Sequence, residues 1–311
     1  MPDSSHTAIL PGRQVVLHGN SDDPYFRNAG AVLAAEAPLQ AWVRANLPRD
    51  AVVVDIGGNI GLTALILSAL LPDGHVHVFE ALPENAAFLR RNIAENGIRN
   101  VTVNSVALGR QPGSVQMGAA GAGSHVQSGG QGVEVPMTTL DRYVAEAGLA
   151  RLDFIKMDVE GFEPPVLDGA AATIERFRPP VFMEFNTWCL TFVQGLDARG
   201  FAALLWDAFE VLSVDASGAE RPAGPDPYSF FHDNVVLHGT NEDVLLRLRP
   251  EAQVPSMDGL VRSGSGVVAQ LELKQAHLGL KRVEAELDAI RRSTSWQVTG
   301  PLRTLVNRWR R

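Results

Sequence analysis

The sequence predicts an α/β fold carrying an open, mostly parallel sheet, and three observations predict it. From Ala51 onward, short apolar runs of strand character alternate with longer segments of helical period, the pattern that builds a parallel sheet covered by helices. The first run leads without a break into Asp55-Ile-Gly-Gly-Asn-Ile-Gly61, a glycine-rich turn into a helix. The second run ends in an acid, Glu80, 25 residues after Asp55. With 45% hydrophobic residues over 311 positions, the chain has the apolar content to bury a large core.

Residues 1–50 read as a lead-in, with a short strand near Val15–Leu17 and an amphipathic helix ending before Pro48. The main domain is expected over 51–249. Its strands fall at Val52–Ile56, His75–Phe79, Val101–Ser105, Asp153–Met157, Pro180–Phe185, Glu210–Val214 and Asn234–His238. Helices at Gly61–Leu70, Glu84–Asn96, Leu140–Glu146, Pro165–Phe177 and Leu196–Ala208 fill the gaps. Val115–Met117 and Val133–Pro136 flank a Gly/Ser-rich stretch, Gly118 to Gly132, which is either a lid beside the site or a plain flexible insertion. Residues 250–266 lose periodicity and gather Pro, Ser and Gly, the composition of a linker. Within 267–292, Leu273, Ala276, Leu280, Val283, Leu287 and Ile290 are spaced 3, 4, 3, 4, 3. That spacing makes the seam of a short coiled coil, a route to a homo-oligomer, or of a helix packed on its own domain.

In the glycine loop, Gly57 and Gly61 have no Cβ, so the backbone can turn sharply and approach a ligand closely. The dinucleotide fingerprint is not met, because Asn59 and Leu62 stand where its later glycines belong, and no Gly-Lys-Ser/Thr follows for a P-loop. Asp55 at the loop mouth repels a pyrophosphate and suits an ammonium. S-adenosylmethionine fits that description, with its amino group, carboxylate and sulfonium and no phosphate. Glu80, at the carboxyl end of the neighbouring strand, can accept both ribose hydroxyls. Asn104-Ser-Val-Ala-Leu-Gly109 follows the third strand, and its small residues, Ala107 among them, suit an adenine face.

At these residues the chain resembles the FkbM family of S-adenosylmethionine-dependent methyltransferases. The matching elements are Val53-Val-Asp-Ile-Gly-Gly-Asn-Ile-Gly61, Val78-Phe-Glu-Ala-Leu-Pro83, Thr139-Leu-Asp141, Asp153-Phe-Ile-Lys-Met-Asp-Val-Glu-Gly-Phe-Glu163, Val166-Leu-Asp-Gly169 and Pro180-Val-Phe-Met-Glu184. The resemblance covers roughly 50–190, and its most specific part is the block around Lys156 and Glu160. It implies a seven-stranded Rossmann-like class I methyltransferase sheet with the last strand antiparallel. It also implies methyl transfer to a hydroxyl oxygen, often on a sugar or a natural product.

Ligands of open α/β sheets lie beyond the carboxyl ends of the strands, so Asp158, Glu160 and Glu163 after the fourth strand and Glu184 in the fifth should converge. An alcohol needs a base within hydrogen-bond reach. Asp158 is the first candidate, Glu160 the second, and Glu184 completes the catalytic set. His125 and His232 are further candidates, and Glu163 can instead cap the helix that follows. Lys156 is expected to pair with one of the acids. Clustered carboxylates can also hold a divalent ion, but the spacing matches no metal motif, and the expected site contains none. Cys189 reads as a buried small apolar residue.

Charge is segregated along the chain. Six arginines and no acid follow Asp288, so the net −8 divides into −14 up to that residue and +6 beyond it. The acidic bulk excludes non-specific nucleic-acid binding. A single cysteine, no signal-peptide pattern and no apolar run near membrane length make a cytoplasmic setting the expectation. In the tail, 293–311, Trp296, Leu302, Leu305, Val306 and Trp309 interleave with arginines. This pattern is similar to the C-terminal tails of many bacterial glycosyltransferases and methyltransferases of surface-polysaccharide assembly. It suits the inner face of an anionic membrane, or contact with a partner such as a glycosyltransferase, or a basic unstructured terminus.

Overall fold

The computed structural model describes residues 3–10, 12–118, 126 and 132–260. The coiled-coil segment, the basic tail, His125 and most of the Gly/Ser-rich stretch lie outside the described residues. One compact unit runs from residue 1 to residue 262.

The chain opens with β1 (Asp3–Leu10), β2 (Arg13–Asn20), α1 (Pro24–Arg27), α2 (Ala29–Ala35) and α3 (Ala37–Asn46). Then come β3 (Val52–Ile56), α4 (Leu62–Leu70), β4 (His75–Phe79), α5 (Pro83–Glu95) and β5 (Val101–Asn104). A small side sheet follows, made of β6 (Ala107–Leu108), β7 (Gly113–Met117) and β8 (Val133–Thr138), and then α6 (Leu140–Glu146). The last part holds β9 (Phe154–Met157), α7 (Glu163–Asp168), α8 (Ala171–Phe177), β10 (Val181–Asn186), a π-helical turn at Cys189–Val193, α9 (Ala198–Ala208), β11 (Phe209–Val214), β12 (Glu220–Pro222), α10 (Pro227–Val236) and β13 (Asn241–Leu248).

Eight of these strands form the main sheet, in the order β12-β11-β13-β10-β9-β3-β4-β5. Strands β5, β4, β3, β9 and β10 are mutually parallel, and β13 runs antiparallel to both of its neighbours. The antiparallel last strand was expected; the three-residue edge strand β12 adds an eighth. Alternate residues of β3 enter opposite cores: Val54 and Ile56 meet α6–α10 on one face, and Val53 meets α3–α5 on the other. A strand buried on both faces reads as a near-continuous apolar run, and Val52–Ile56 stands out in this way, interrupted only by Asp55.

Three expectations are corrected. The last strand is Asn241–Leu248, and Asn234–His238 is the end of α10 and the turn after it. The helix is started by Asp226, which accepts the Tyr228 and Ser229 N–H groups, with Pro227 in the first turn. Asn234, fully buried, accepts a 2.6 Å bond from the Thr187 hydroxyl and donates to the Phe185 carbonyl. The helix expected at Pro165–Phe177 is two, broken at Gly169, where a Cβ would stand 2.0 Å from the Gly109 carbonyl oxygen. Asp141 caps the second piece by accepting the Ala172 and Thr173 N–H groups. Finally, the single strand expected near Val15–Leu17 is half of a hairpin.

That hairpin is held by side chains imitating a strand. Asn96 of the turn after α5 pairs with both backbone groups of Val16. Asn92, fully buried, does the same with His18 and also donates 2.8 Å to the carbonyl of Ile60 in the glycine loop.

Candidate functional site

The strand order reverses at β3 and β9, so the crevice that binds ligands in such sheets should open above their carboxyl ends. A cavity of about 270 Å³ is found there, walled by Gly57, Asn59, Glu80, Ala107, Asp158, Glu160 and Glu184, all expected from the sequence. It is also walled by Tyr25, Val32 and Glu36 of the N-terminal helices and by Lys156, Phe162 and Val126. Asp55 and Gly61 are not in the wall.

Glu80 is the best-anchored acid. Its two carboxylate oxygens accept the N–H groups of Asn59 and Leu82, both at 2.8 Å, while each keeps a lone pair for a ligand. Burial pushes its carboxyl up to about 7 despite those two bonds. The bond to Asn59 also fixes that residue's left-handed backbone, φ 47°, and leaves Asn59 Oδ1 buried without a partner among the described residues.

The glycines serve packing more than ligand approach. Gly57 has φ +86°, and a Cβ on it would lie 1.8 Å from the Asp158 carbonyl oxygen. Gly61, φ +97°, admits the Leu89 side chain, whose Cδ1 would stand 2.3 Å from a Cβ. Gly58, which the sequence reading did not single out, faces Val78 at 2.2 Å in the same sense.

Asp55 departs most from expectation. It is fully buried inside β3 and not at the loop mouth, in register with Lys156 on β9. Neither of its oxygens has a hydrogen-bond partner among the described residues. Burial pushes its carboxyl up to about 7, with Lys156 pulling the other way.

Lys156 donates to Asp158 at 3.1 Å, the ion pair expected. Burial alone lowers an ammonium, but Asp158, Asp55 and Glu36 together hold this one well above the ordinary lysine range. Glu160, at φ 52°, accepts the Cys189 thiol at 3.1 Å. Burial first, and Glu160 second, pushes that thiol up, so Cys189 is polar-bonded as well as buried. Glu184 accepts from Asn241 at 2.7 Å, and burial together with Asp158, Glu160 and Glu163 raises it well above the usual carboxylate range. Glu163 accepts the Val159 and Gly161 N–H groups of the turn before α7, so it ties that turn together and does not cap the helix as expected, and burial pushes it up to about 8. His232 sits exposed on α10 beside Asp233, away from the cavity wall.

Sequence reasoning missed Tyr25, Val32 and Glu36. Their only signal was Phe26, a buried aromatic that stacks on His6 at 4.3 Å and occupies the space a Gly19 Cβ would take, so pinning α1. Burial raises Tyr25 and Glu36 above their ordinary values, and Thr63 donates weakly to Glu36 at 3.3 Å.

The sheet order, the antiparallel last strand and an acidic cavity at the reversal point define the α/β methyltransferase fold. The chain belongs to the methyltransferase FkbM domain family, whose model matches residues 55–212. It is 27% identical over 150 residues to Methyltransferase 1 of Beauveria bassiana, covering 40% of this chain and 60% of that one. It is 27% identical over 203 residues to 31-O-demethyl-FK506 methyltransferase FkbM of Streptomyces tacrolimicus, covering 54% of this chain and 77% of that one. Against the first relative the chain therefore spans less than two thirds of the length. Among solved structures, methyltransferase FkbM of Methylobacillus flagellatus aligns over 65% of this chain and 45% of its own, at 17% identity and a TM-score of 0.40.

The cofactor of the family is S-adenosylmethionine, and the residues present fit it. The wall offers several carboxylates and, among its described residues, one cation, Lys156, an environment suited to a ligand carrying an ammonium and a sulfonium. Glu80, whose two oxygens each keep a lone pair, would be the acceptor for its ribose hydroxyls.

Proposed function

We propose that the protein is an S-adenosylmethionine-dependent O-methyltransferase whose acceptor is a sugar hydroxyl of a bacterial surface polysaccharide or glycolipid. The observation that carries the reaction type is the meeting, in one cavity, of a backbone-anchored Glu80 with the carboxylates of Asp158, Glu160 and Glu184. Bound there, the cofactor supplies an electrophilic methyl carbon. Glu80 takes the ribose hydroxyls, Gly57, Asn59 and Ala107 shape the nucleoside side, and Asp55 contributes buried negative charge beneath the loop. Asp158, oriented by Lys156, would receive the acceptor hydroxyl's proton, with Glu160 and Glu184 beside it to take hydrogen bonds from neighbouring hydroxyls.

A second reading replaces the sugar with a hydroxyl of a small natural product, and the name of the Streptomyces relative favours it. Production of S-adenosylhomocysteine with cell-envelope sugar extracts, set against 31-O-demethyl-FK506, separates the two. Absence of turnover with both, in a protein that binds S-adenosylhomocysteine, points to a cofactor-binding scaffold instead. The basic tail supports recruitment to the inner membrane face. Among the described residues no helix is long and apolar enough to cross a membrane. Salt-sensitive binding to anionic vesicles, abolished by deletion of 293–311, is the expected result.

A further inference from the structure

We propose that Tyr25 and Glu36, from the N-terminal helices, bind the amino-acid end of S-adenosylmethionine. The inference rests on that cofactor and on the ribose role of Glu80 given above. Sheet order supplies the direction. In the cavity wall Ala107 comes after β5, Glu80 follows β4, Gly57 follows β3 and Asp158 follows β9, and these strands are successive neighbours, β9-β3-β4-β5. With the base against Ala107 and the ribose on Glu80, the rest of the ligand runs over β3 towards β9, two strand spacings, ~10 Å, from the end of β4. Tyr25 and Glu36 belong to that end of the wall, since both feel the charges of Lys156 and Asp158.

An amino acid is a zwitterion, so its site must offer acceptors to the ammonium and donors to the carboxylate. Glu36 Oε1 takes only the 3.3 Å bond from Thr63, in the first turn of α4, and Oε2 has no hydrogen-bond partner among the described residues. A carboxyl accepts hydrogen bonds in either protonation state, so the burial that raises Glu36 leaves this role intact. The Tyr25 hydroxyl, also without a hydrogen-bond partner among the described residues, is a donor for the carboxylate. Lys156 gives one N–H to Asp158 and has others to offer beside it. Asp55, where the sequence placed the ammonium, is not in the wall, and Glu36 takes its part. Both residues are firmly mounted. Asp23 accepts the Tyr25 N–H at 2.9 Å, and the next residue, Phe26, is buried. Glu36 directly precedes α3, whose Leu39, Trp42 and Val43 are buried. Both also lie ahead of 55–212, the stretch that the family model matches, so this chain's own lead-in completes the cofactor site.

The test is calorimetry on the full-length protein with S-adenosylhomocysteine, with its decarboxylated analogue, which keeps the ammonium, and with methylthioadenosine, which lacks the whole amino-acid end. The unsubstituted protein should prefer S-adenosylhomocysteine to methylthioadenosine by at least about tenfold. Glu36→Leu should weaken S-adenosylhomocysteine and the decarboxylated analogue alike, by roughly tenfold. Tyr25→Phe should weaken S-adenosylhomocysteine alone, by about fivefold or more. Neither should change methylthioadenosine binding. Circular dichroism checks that each variant is folded, and Glu36→Gln serves if Glu36→Leu is not. Equal affinity of the unsubstituted protein for S-adenosylhomocysteine and methylthioadenosine overturns the proposal without any variant. An unchanged preference in either variant overturns it too, as does a loss of the same size for all the ligands. When S-adenosylhomocysteine binds and one of these results appears, only this inference falls. When no ligand of the set binds, the cofactor reading falls and takes this inference with it.

Discussion

Glu80 accepts the Asn59 N–H of the glycine loop it faces and the Leu82 N–H of its own turn, so its removal should act on ligand and loop together. Hydrogen bonds to a charged group contribute about 1.5–3 kcal/mol. Glu80→Ala should therefore weaken S-adenosylhomocysteine binding roughly 10- to 100-fold by calorimetry, and Glu80→Gln less. Asp55 and Glu80 both have carboxyls pushed up to about 7. A ligand that needs them ionised should bind more tightly as pH rises from 6 to 8, and a flat calorimetric profile across that range would count against both roles. The acids and glycines were legible in the sequence as residue types, but their reasons were not. Gly57 is required by the Asp158 carbonyl, a contact between segments a hundred positions apart, and no local pattern reports such a contact.

At the scale of elements, α5 does more than cover the sheet. The buried Asn92 amide satisfies His18 and Ile60 at once. Asn92→Leu orphans those backbone groups and should cost about 2–3 kcal/mol, using about 1–3 kcal/mol for unsatisfied buried groups; urea unfolding would show it as a lowered midpoint. Leu17, Phe26, Leu39 and Trp42 all lie in the core cluster on that face of the sheet, and Trp42 stacks on Phe154 of β9 at 5.2 Å. A fragment beginning at residue 51 should accordingly lack a cooperative thermal transition. In the lead-in only the strand near Val15–Leu17 and the amphipathic helix before Pro48 were legible, because its anchors, Phe26 and Trp42, are single aromatics that carry no period. The parallel strands were easy to read because each is a short run rich in Val, Ile and Phe between helical segments, even though each carries a polar residue such as Asp55, His77, Thr102, Lys156 or Glu184. β13 was misplaced because Asn234–His238 is also apolar, and only the Asp226–Pro227 cap upstream marks it as helix.

For the whole molecule, burying acids sets how stability depends on pH. Asp55, Glu80 and Glu163 have folded values of about 7, 7 and 8, against ordinary values of 3.8, 4.5 and 4.5. Each holds protons more tightly folded than unfolded. The stability this confers is complete below about pH 4 and is lost as pH rises through 7 to 8. The ligand-free protein should thus melt at a lower temperature at pH 8 than at pH 6. S-adenosylhomocysteine should recover more of the difference at pH 8, where it meets ionised partners.

The 1.8 Å between a Gly57 Cβ and the Asp158 carbonyl oxygen has a larger meaning at this scale. The loop on the donor side and the loop bearing the acids touch main chain to main chain, and Asp158 N–H is tied at 3.0 Å to the carbonyl of Ile56. No rotamer change can widen or narrow that separation. On the proposed reading the polypeptide backbone itself would gauge the two reactants against each other, and the span across which the methyl group moves would stay constant whatever side chains surround the acceptor.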